Sequence, residues 1–288
     1  MNPVSVVVPA LNEAQSIGSV LEQIKRSLES AKLTYEIIVI DDGSTDRTGE
    51  IAKSFQARVL RHPIPGGYGL SLKDGILNSK YNIVAIIDAD GTYPPEKLPE
   101  MVGYMDEFDM VVGARSRAGK FLNHSFFKGV IRMIFHFLCE FVTGRRIQDV
   151  NSGFRVFKKD LALQFKENFC LGYSFTTTIT LAFFLNGYFV KYIPIQYFKR
   201  QGKSHVRLIK DSLIAAQIIV QTILYYNPIK LFLLLSLIMG FGAVISFAFD
   251  FFSPNSFSFM LGQTFLLMVF VYFGMGFLAE ILRGRRSD

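Results

Sequence analysis

Short apolar runs recur through the first 114 residues, at positions 4–8, 36–40, 58–60, 83–87 and 110–112. Most are built of Val and Ile, the composition of buried strands. Between them the periodicity changes. Residues 14–28 set Ile17, Val20, Leu21, Ile24 and Leu28 on one face of a predicted helix, and residues 45–55 follow Asp42-Gly43-Ser44, a capped helix entry. Strand alternating with helix predicts an α/β fold around a mostly parallel, Rossmann-like sheet, whose ligands gather at the carboxyl ends of the strands. The polar clusters fall at those ends: Asn12-Glu13 after the first strand, Asp41-Asp42 after the second, Asp88-Ala89-Asp90 after the fourth.

From about residue 116 to 207 this rhythm is lost, and the chain is rich in Phe and basic residues. Within residues 121–142 the polar positions include His124, Lys128, Arg132, His136 and Glu140, four apart and so drifting slowly around one helical face. Such a basic stripe on a Phe-rich helix fits an amphipathic helix in the membrane interface; a core helix with one solvated edge fits nearly as well. Residues 208–226 read as a further apolar helix, ended by Asn227-Pro228.

Two stretches, 231–249 and 257–279, carry no charged residue. Each is long enough to cross a hydrocarbon core of about 30 Å at about 1.5 Å per residue. They are expected to be two transmembrane helices joined by the turn at Ser253-Pro254-Asn255. The expected organisation is a catalytic domain over 1–207, a juxtamembrane helix over 208–229, and a transmembrane hairpin with a basic tail over 230–288. Lys230 precedes the hairpin, Arg283, Arg285 and Arg286 follow its second helix, and the connecting loop has no Lys or Arg. The positive-inside rule therefore predicts an integral membrane protein with the catalytic domain and both termini in the cytoplasm. Residues 4–8 are too short, and lack a basic leader, for a secretory signal.

Composition agrees with a soluble domain joined to a membrane part, since half of the 288 residues are hydrophobic and only 19% charged. The net charge of +7 arises with basic residues set among Phe, Ile and Leu. That favours a membrane surface or a phosphate-bearing lipid over nucleic acid. Cys139 and Cys170 lie in apolar surroundings without metal-ligand spacing and are expected to be buried free thiols.

Asp88 and Asp90 carry the plainest chemistry. Two carboxylates directly after a buried strand are hard oxygen ligands suited to Mg²⁺ or Mn²⁺, an ion that would stabilise a departing diphosphate. Asp41-Asp42-Gly43-Ser44 is open to two readings, helix cap and ligand site, which can coexist.

Taken in order, Val6-Val7-Val8-Pro9-Ala10-Leu11-Asn12-Glu13, Asp41-Asp42-Gly43-Ser44-Thr45-Asp46, Asp88-Ala89-Asp90 with Pro94-Pro95, Gly113-Ala114-Arg115, and Asp149-Val150-Asn151-Ser152-Gly153-Phe154-Arg155 form a combination. It resembles the family 2 glycosyltransferases of the dolichol-phosphate mannose synthase and polyprenyl-phosphate glycosyltransferase group, over roughly the first 207 residues. The resemblance implies a GT-A fold, a UDP- or GDP-linked sugar donor, a divalent cation, a polyprenyl phosphate acceptor and inversion at the anomeric carbon. By motif, Pro9, Leu11, Asn12 and Glu13 belong to the nucleotide pocket, with Asp41 and Asp42 near base and ribose. Asp88, Ala89 and Asp90 form the diphosphate and metal site, and Asp90 is favoured over Asp88 as direct ligand. Arg115 lies near both phosphates, and Lys128 and Arg132 near that of the acceptor. Arg200, Lys203 and Ser204 belong to a loop closing over the diphosphate.

Two departures, Thr92 where mannose synthases often carry Gln and His205 where many members carry Lys, leave the sugar unassigned. Arg146, Arg155 and Arg207 read as surface or structural residues outside the site. A phosphate acceptor, already anionic because its second pKa is about 6, needs no strong general base. A processive polysaccharide synthase resembles a longer chain with a Gln-x-x-Arg-Trp motif, and this sequence has no Trp. Transfer to a lipid hydroxyl or glycan, and a noncatalytic nucleotide-sugar-binding membrane subunit, remain as alternatives.

Overall fold

A computed structural model of the chain describes residues 2–115, 126–166, 175–199 and 227–284, together with 217, 220, 221, 223 and 224. The chain divides into two compact units, Met1–Ala216 and Gln217–Asp288.

In the first unit the strands are β1 (Val4–Ala10), β2 (Tyr35–Asp41), β3 (Arg58–Arg61), β4 (Ile83–Ile86), β5 (Met110–Arg115), β6 (Arg155–Lys158) and β7 (Val190–Ile195). They form a seven-stranded sheet in the order β3-β2-β1-β4-β6-β5-β7. β1 is buried along its whole length, as a central parallel strand covered on both faces must be. It pairs in parallel with β2 and β4, and β2 with β3. β6 runs antiparallel between β4 and β5, and β7 returns parallel to β5. The expected mostly parallel sheet is present, with one reversed strand that periodicity did not reveal.

Helix α1 (Ile17–Ser30) buries Ile17, Val20, Leu21, Ile24 and Leu28, the face expected from their spacing. It begins three residues later than expected, because residues 13–16 form a turn in which the Glu13 carbonyl accepts the Ser16 N–H at 3.1 Å. Helix α2 (Thr48–Ser54) likewise begins later than residue 45. The Asp46 carboxylate accepts the Thr48 N–H at 2.9 Å and the Ala14 N–H at 3.1 Å, holding the chain in a capping turn until residue 48. These bonds outweigh the cost of partial burial, and the Asp46 carboxyl is held below its usual range. Helix α3 (Tyr68–Asn78) lies directly on β1: a Cβ at Gly75 would come within 2.3 Å of Val7 Cγ1. Helix α4 (Leu98–Gly103) covers the sheet with Leu98, Met101 and Val102.

The irregular section proves ordered where described. Helix α5 (Phe126–Thr143) occupies most of the expected 121–142 helix, and β6, the short α6 (Lys159–Leu163), α7 (Phe175–Leu185) and β7 follow. Cys139 is a buried free thiol, as expected, and Cys170 lies outside the described residues.

The second unit is a helical hairpin, α8 (Pro228–Phe252) and α9 (Ser256–Gly284), both long and apolar enough to cross a membrane. Small residues let the helices approach. A Cβ at Gly262 would lie 2.7 Å from the Phe247 ring, and one at Gly276 would lie 2.9 Å from Phe232 Cβ. At the turn, Asp250 Oδ1 accepts the Asn255 N–H at 2.9 Å. The expected 208–226 helix falls largely outside the described residues.

Candidate active site

The carboxyl ends of β1 and β2 are tied together by their own polar residues. Asn12 sits in the left-handed region at φ 56°, which Asn tolerates, and its side-chain oxygen accepts the Thr45 N–H at 2.8 Å. Its own N–H donates to Ser44 Oγ at 3.0 Å, and the Glu13 N–H to Thr48 Oγ1 at 2.9 Å. Asp41 and Asp42 are both buried. Asp41 accepts the Ser44 N–H at 2.9 Å and lies 3.7 Å from Arg61 Nε. Asp42 accepts the N–H groups of Gly66 and Gly67, each at 2.8 Å, and contacts His62 Nδ1 at 2.6 Å. The helix-cap reading of this motif fails for both carboxylates, since α2 begins only at Thr48: Asp41 closes the turn at Ser44, and Asp42 anchors the segment after β3.

At the end of β4, Asp88 is partly exposed and Asp90 buried, and each carboxylate is oriented by a hydroxyl. Tyr68, at the start of α3, donates to Asp88 Oδ1 at 2.8 Å. Thr92 donates to Asp90 Oδ1 through its hydroxyl at 2.6 Å and its N–H at 3.1 Å, an Asx-type turn in which Gly91 adopts φ +73°. Burial, reinforced by the nearby Asp88 charge, raises the Tyr68 and Tyr93 pKa values, so both keep their protons. Gly153 packs so closely on Asp88 that a Cβ there would lie 2.5 Å from Oδ2.

At the end of β5, Arg115 makes a two-pronged pair with Asp149, Nε to Oδ2 at 2.7 Å and Nη2 to Oδ1 at 2.8 Å. Burial would lower its pKa, but the bond to Asp149 more than offsets this and fixes the positive charge. The guanidinium stacks over Tyr197 at 5.4 Å, and Tyr197 meets Tyr93 edge-on at 5.4 Å. Tyr93 in turn accepts the Gly153 N–H at 2.7 Å. Asp88, Gly153, Tyr93, Tyr197 and Arg115 thus form one connected cluster.

The loop between Asp149 and Gly153 is held from beneath by Arg155. This residue is fully buried, so its surface reading is wrong and its structural reading holds. It donates to the Ser152 carbonyl at 3.1 Å, the Thr176 carbonyl at 3.0 Å and Thr180 Oγ1 at 2.9 Å. Burial lowers its pKa.

Pro9 and Ala89 are buried beside these clusters and Leu11 is half-buried. Lys128 and Arg132 lie on α5, with their side chains outside the described residues; Arg200, Lys203 and Ser204 lie outside altogether, as do His205 and Arg207. Sequence reasoning missed Tyr68, Tyr93, Asp149 as the partner of Arg115, Tyr197, and His62 with Asp74. Only Asp149 carried a signal, as the first residue of a motif already singled out. Among the described residues no group of three or more His, Cys, Asp or Glu is arranged to hold a metal. The two oriented carboxylates after β4 fit a Mg²⁺ or Mn²⁺ ion whose remaining ligands are water and substrate phosphate.

The family model described as glycosyl transferase family 2 matches residues 5–164, more than half of the chain, from the second residue of β1 to beyond β6. The chain belongs to glycosyl transferase family 2. Among curated relatives of this family 2 chain, a dolichyl-phosphate hexose transferase of Haloferax volcanii is 32% identical over 203 residues, 69% of this chain and 85% of the relative. A dolichyl-phosphate β-glucosyltransferase of Trichomonas vaginalis is 29% identical over 54% of this chain and 52% of its own length. Of the solved structures, glucosyl-3-phosphoglycerate synthase from Mycobacterium tuberculosis, in complex with Mn²⁺, UDP-glucose and phosphoglyceric acid, superposes with a TM-score of 0.62. It is 22% identical and covers 77% of this chain and 79% of its own. That likeness establishes the GT-A type of fold.

Proposed function

We propose that this chain transfers a sugar from a UDP- or GDP-linked donor to a polyprenyl phosphate, with inversion, at the cytoplasmic face of a membrane. The observation that carries the reading is the connected cluster at the ends of β4 and β5. It joins the hydroxyl-oriented Asp88 carboxylate to an arginine whose charge is fixed by Asp149, with the Thr92-oriented Asp90 two residues further along the chain. Relatives named for dolichyl-phosphate hexose and glucose transfer support the acceptor class. The helical hairpin supports a membrane site.

The acceptor phosphate oxygen would attack the anomeric carbon from the side opposite the leaving diphosphate, so a single displacement inverts that carbon. The principal barrier is the approach of two anions. Asp149 holds Nε and Nη2 of Arg115 and so fixes the guanidinium, whose charge would meet phosphate. Lys128 and Arg132, four residues apart on α5, add positive charge for the acceptor. Asp88 and Asp90 would hold a divalent ion that neutralises the diphosphate as it departs. Residues 1–207 are proposed as the catalytic domain, 208–229 as a juxtamembrane helix and 230–288 as the anchor. Pro9, Leu11, Asn12 and Glu13 are assigned to the nucleotide, and Arg200, Lys203 and Ser204 to closure over the diphosphate.

The test is initial-rate transfer by the full chain from several UDP- and GDP-sugars to a short polyprenyl phosphate and to the matching polyprenol. Transfer to the phosphate alone is expected, lost with chelator and in Asp90→Ala. Lys128→Ala and Arg132→Ala should weaken acceptor use by about one to two orders of magnitude, with donor affinity little changed. Equal use of the alcohol, or full activity in excess chelator, overturns the acceptor or the metal assignment respectively.

A further inference from the structure

The segment after β3 brings His62 between two carboxylates. Its Nδ1 lies 2.6 Å from Asp42 Oδ1 and its Nε2 lies 3.0 Å from Asp74 Oδ2, on α3. A neutral imidazole has one N–H, so only the imidazolium donates to both. The same Asp42 carboxylate accepts the Gly66 and Gly67 N–H groups, and the Asp42 N–H donates to the carbonyl of Ala10, the last residue of β1, at 2.9 Å. One buried carboxylate therefore gathers His62, Gly66 and Gly67 onto the end of the sheet. The segment crosses the turn after β2 at Gly43, where φ is +74° and a Cβ would lie 2.8 Å from the main chain at Ile64 and Pro65. Asp41, at the head of that turn, accepts the His62 N–H on its carbonyl at 2.9 Å.

We propose that His62, clasped between Asp42 and Asp74, is a positioning residue for the donor nucleotide, holding residues 62–67 and the Asp41–Ser44 turn in the shape that receives a nucleoside diphosphate. This rests on the functional reading above and on the family resemblance, which implies Asp41 and Asp42 near base and ribose. The charged groups around the ring are Asp42 from the end of β2, Asp74 from α3, and the adjacent Arg61–Asp41 pair, whose Arg61 also donates to the Ser44 carbonyl at 3.0 Å. With the proton present, three carboxylates face two cations. Without it they face one, and a ring nitrogen lone pair is turned on a carboxylate. The ring is only 14% exposed, so water replaces little of what is lost.

Burial pulls the His62 pKa down, but the bonds to Asp42 and Asp74 outweigh it and the net shift is upward. The clasp is therefore complete below the ordinary histidine value of about 6.5 and is lost as pH rises through the raised one.

The test is calorimetric titration of the full chain with UDP and with GDP between about pH 6 and 9, alongside amide exchange at Gly66 and Gly67. His62→Asn is expected to weaken nucleotide affinity about tenfold, the loss of one charge-assisted bond, and to speed exchange at both glycines. It should leave turnover at saturating donor unchanged. Wild-type affinity should decline on the alkaline side, and that of the variant should be flat. His62→Arg should recover part of the affinity without the alkaline step. Asp74→Asn, at a half-exposed position that tolerates change, should move the wild-type step to lower pH. Nucleotide binding by wild type that is unchanged in His62→Asn and Asp74→Asn overturns the role of His62 alone. Failure of wild type to bind either nucleotide overturns the functional reading and the positioning role with it, even where the exchange difference persists.

Discussion

At Gly153 the absence of a side chain sets where the Asp88 carboxylate stands. A methyl group there would lie 2.5 Å from Oδ2 and 2.9 Å from Cγ, so Asp88 would have to move. Gly153→Ala is expected to leave the fold intact and to lower turnover about 100-fold, the usual consequence of displacing a reacting group by about 1 Å. Initial rates with saturating donor, and a melting curve unchanged from wild type, would establish it. An unchanged rate would remove Asp88 from the site. Asp88 and Asp90 stood out in the sequence as a candidate pair because they directly follow a buried strand and precede Pro94-Pro95, although most Asp-x-Asp pairs are loop or capping residues. Gly153 was not, since its importance lies in a contact with a residue 65 positions away. Thr92 was noticed only as a departure from a family pattern, whereas in the structure it is the group that turns Asp90. His62 carried no signal in the sequence, because neither of its carboxylate partners is a sequence neighbour.

Individual strands and helices were easiest to read where one face alone is buried, as in α1, and hardest where the whole element is. Helix α7 contains Phe-Thr-Thr-Thr-Ile-Thr, a β-branched run that looks like a strand, yet it is helical and almost wholly buried. Its hydroxyls find partners inside the fold. Thr180 Oγ1 donates to the Thr176 carbonyl at 2.7 Å and Thr177 Oγ1 to Asn151 Oδ1 at 2.7 Å, so the tertiary setting overrides propensity. Strand β6 escaped notice because Arg155 and Lys158 leave only two apolar residues between them, and nothing local marks a reversal of direction. Arg155 binds these two elements together. Arg155→Ala is expected to destabilise the chain by about 3 kcal/mol, because carbonyls of Ser152 and Thr176 lose a charged donor in a dry interior. Denaturation of the full chain in detergent measures it, and a loss below about 1 kcal/mol would show that water enters to replace the guanidinium.

For the molecule as a whole, the hairpin imposes its own environment, since side chains such as Leu237, Phe241 and Phe270 stand about 70% exposed. The chain is expected to remain with the membrane fraction on alkaline carbonate extraction. Cysteines placed at Ser256 and Ser287 should divide by side: in sealed cells an impermeant reagent should label the first and not the second, and the opposite pattern would invert the proposed topology. Within the first unit, the ion pair of Arg115 and Asp149 has a further consequence. It joins residues 34 apart, so the two ends of the segment that carries α5 are held side by side at the sheet. Because the cost of closing a loop grows only slowly with its length, exchange within this segment is expected to leave the strands on either side in register when the α5 face that buries Cys139 and Val142 is kept. The segment proposed to face the acceptor is then expected to behave as a replaceable cassette. Grafting residues 116–148 from a relative of different acceptor preference should carry that preference across while nucleotide affinity stays that of the host.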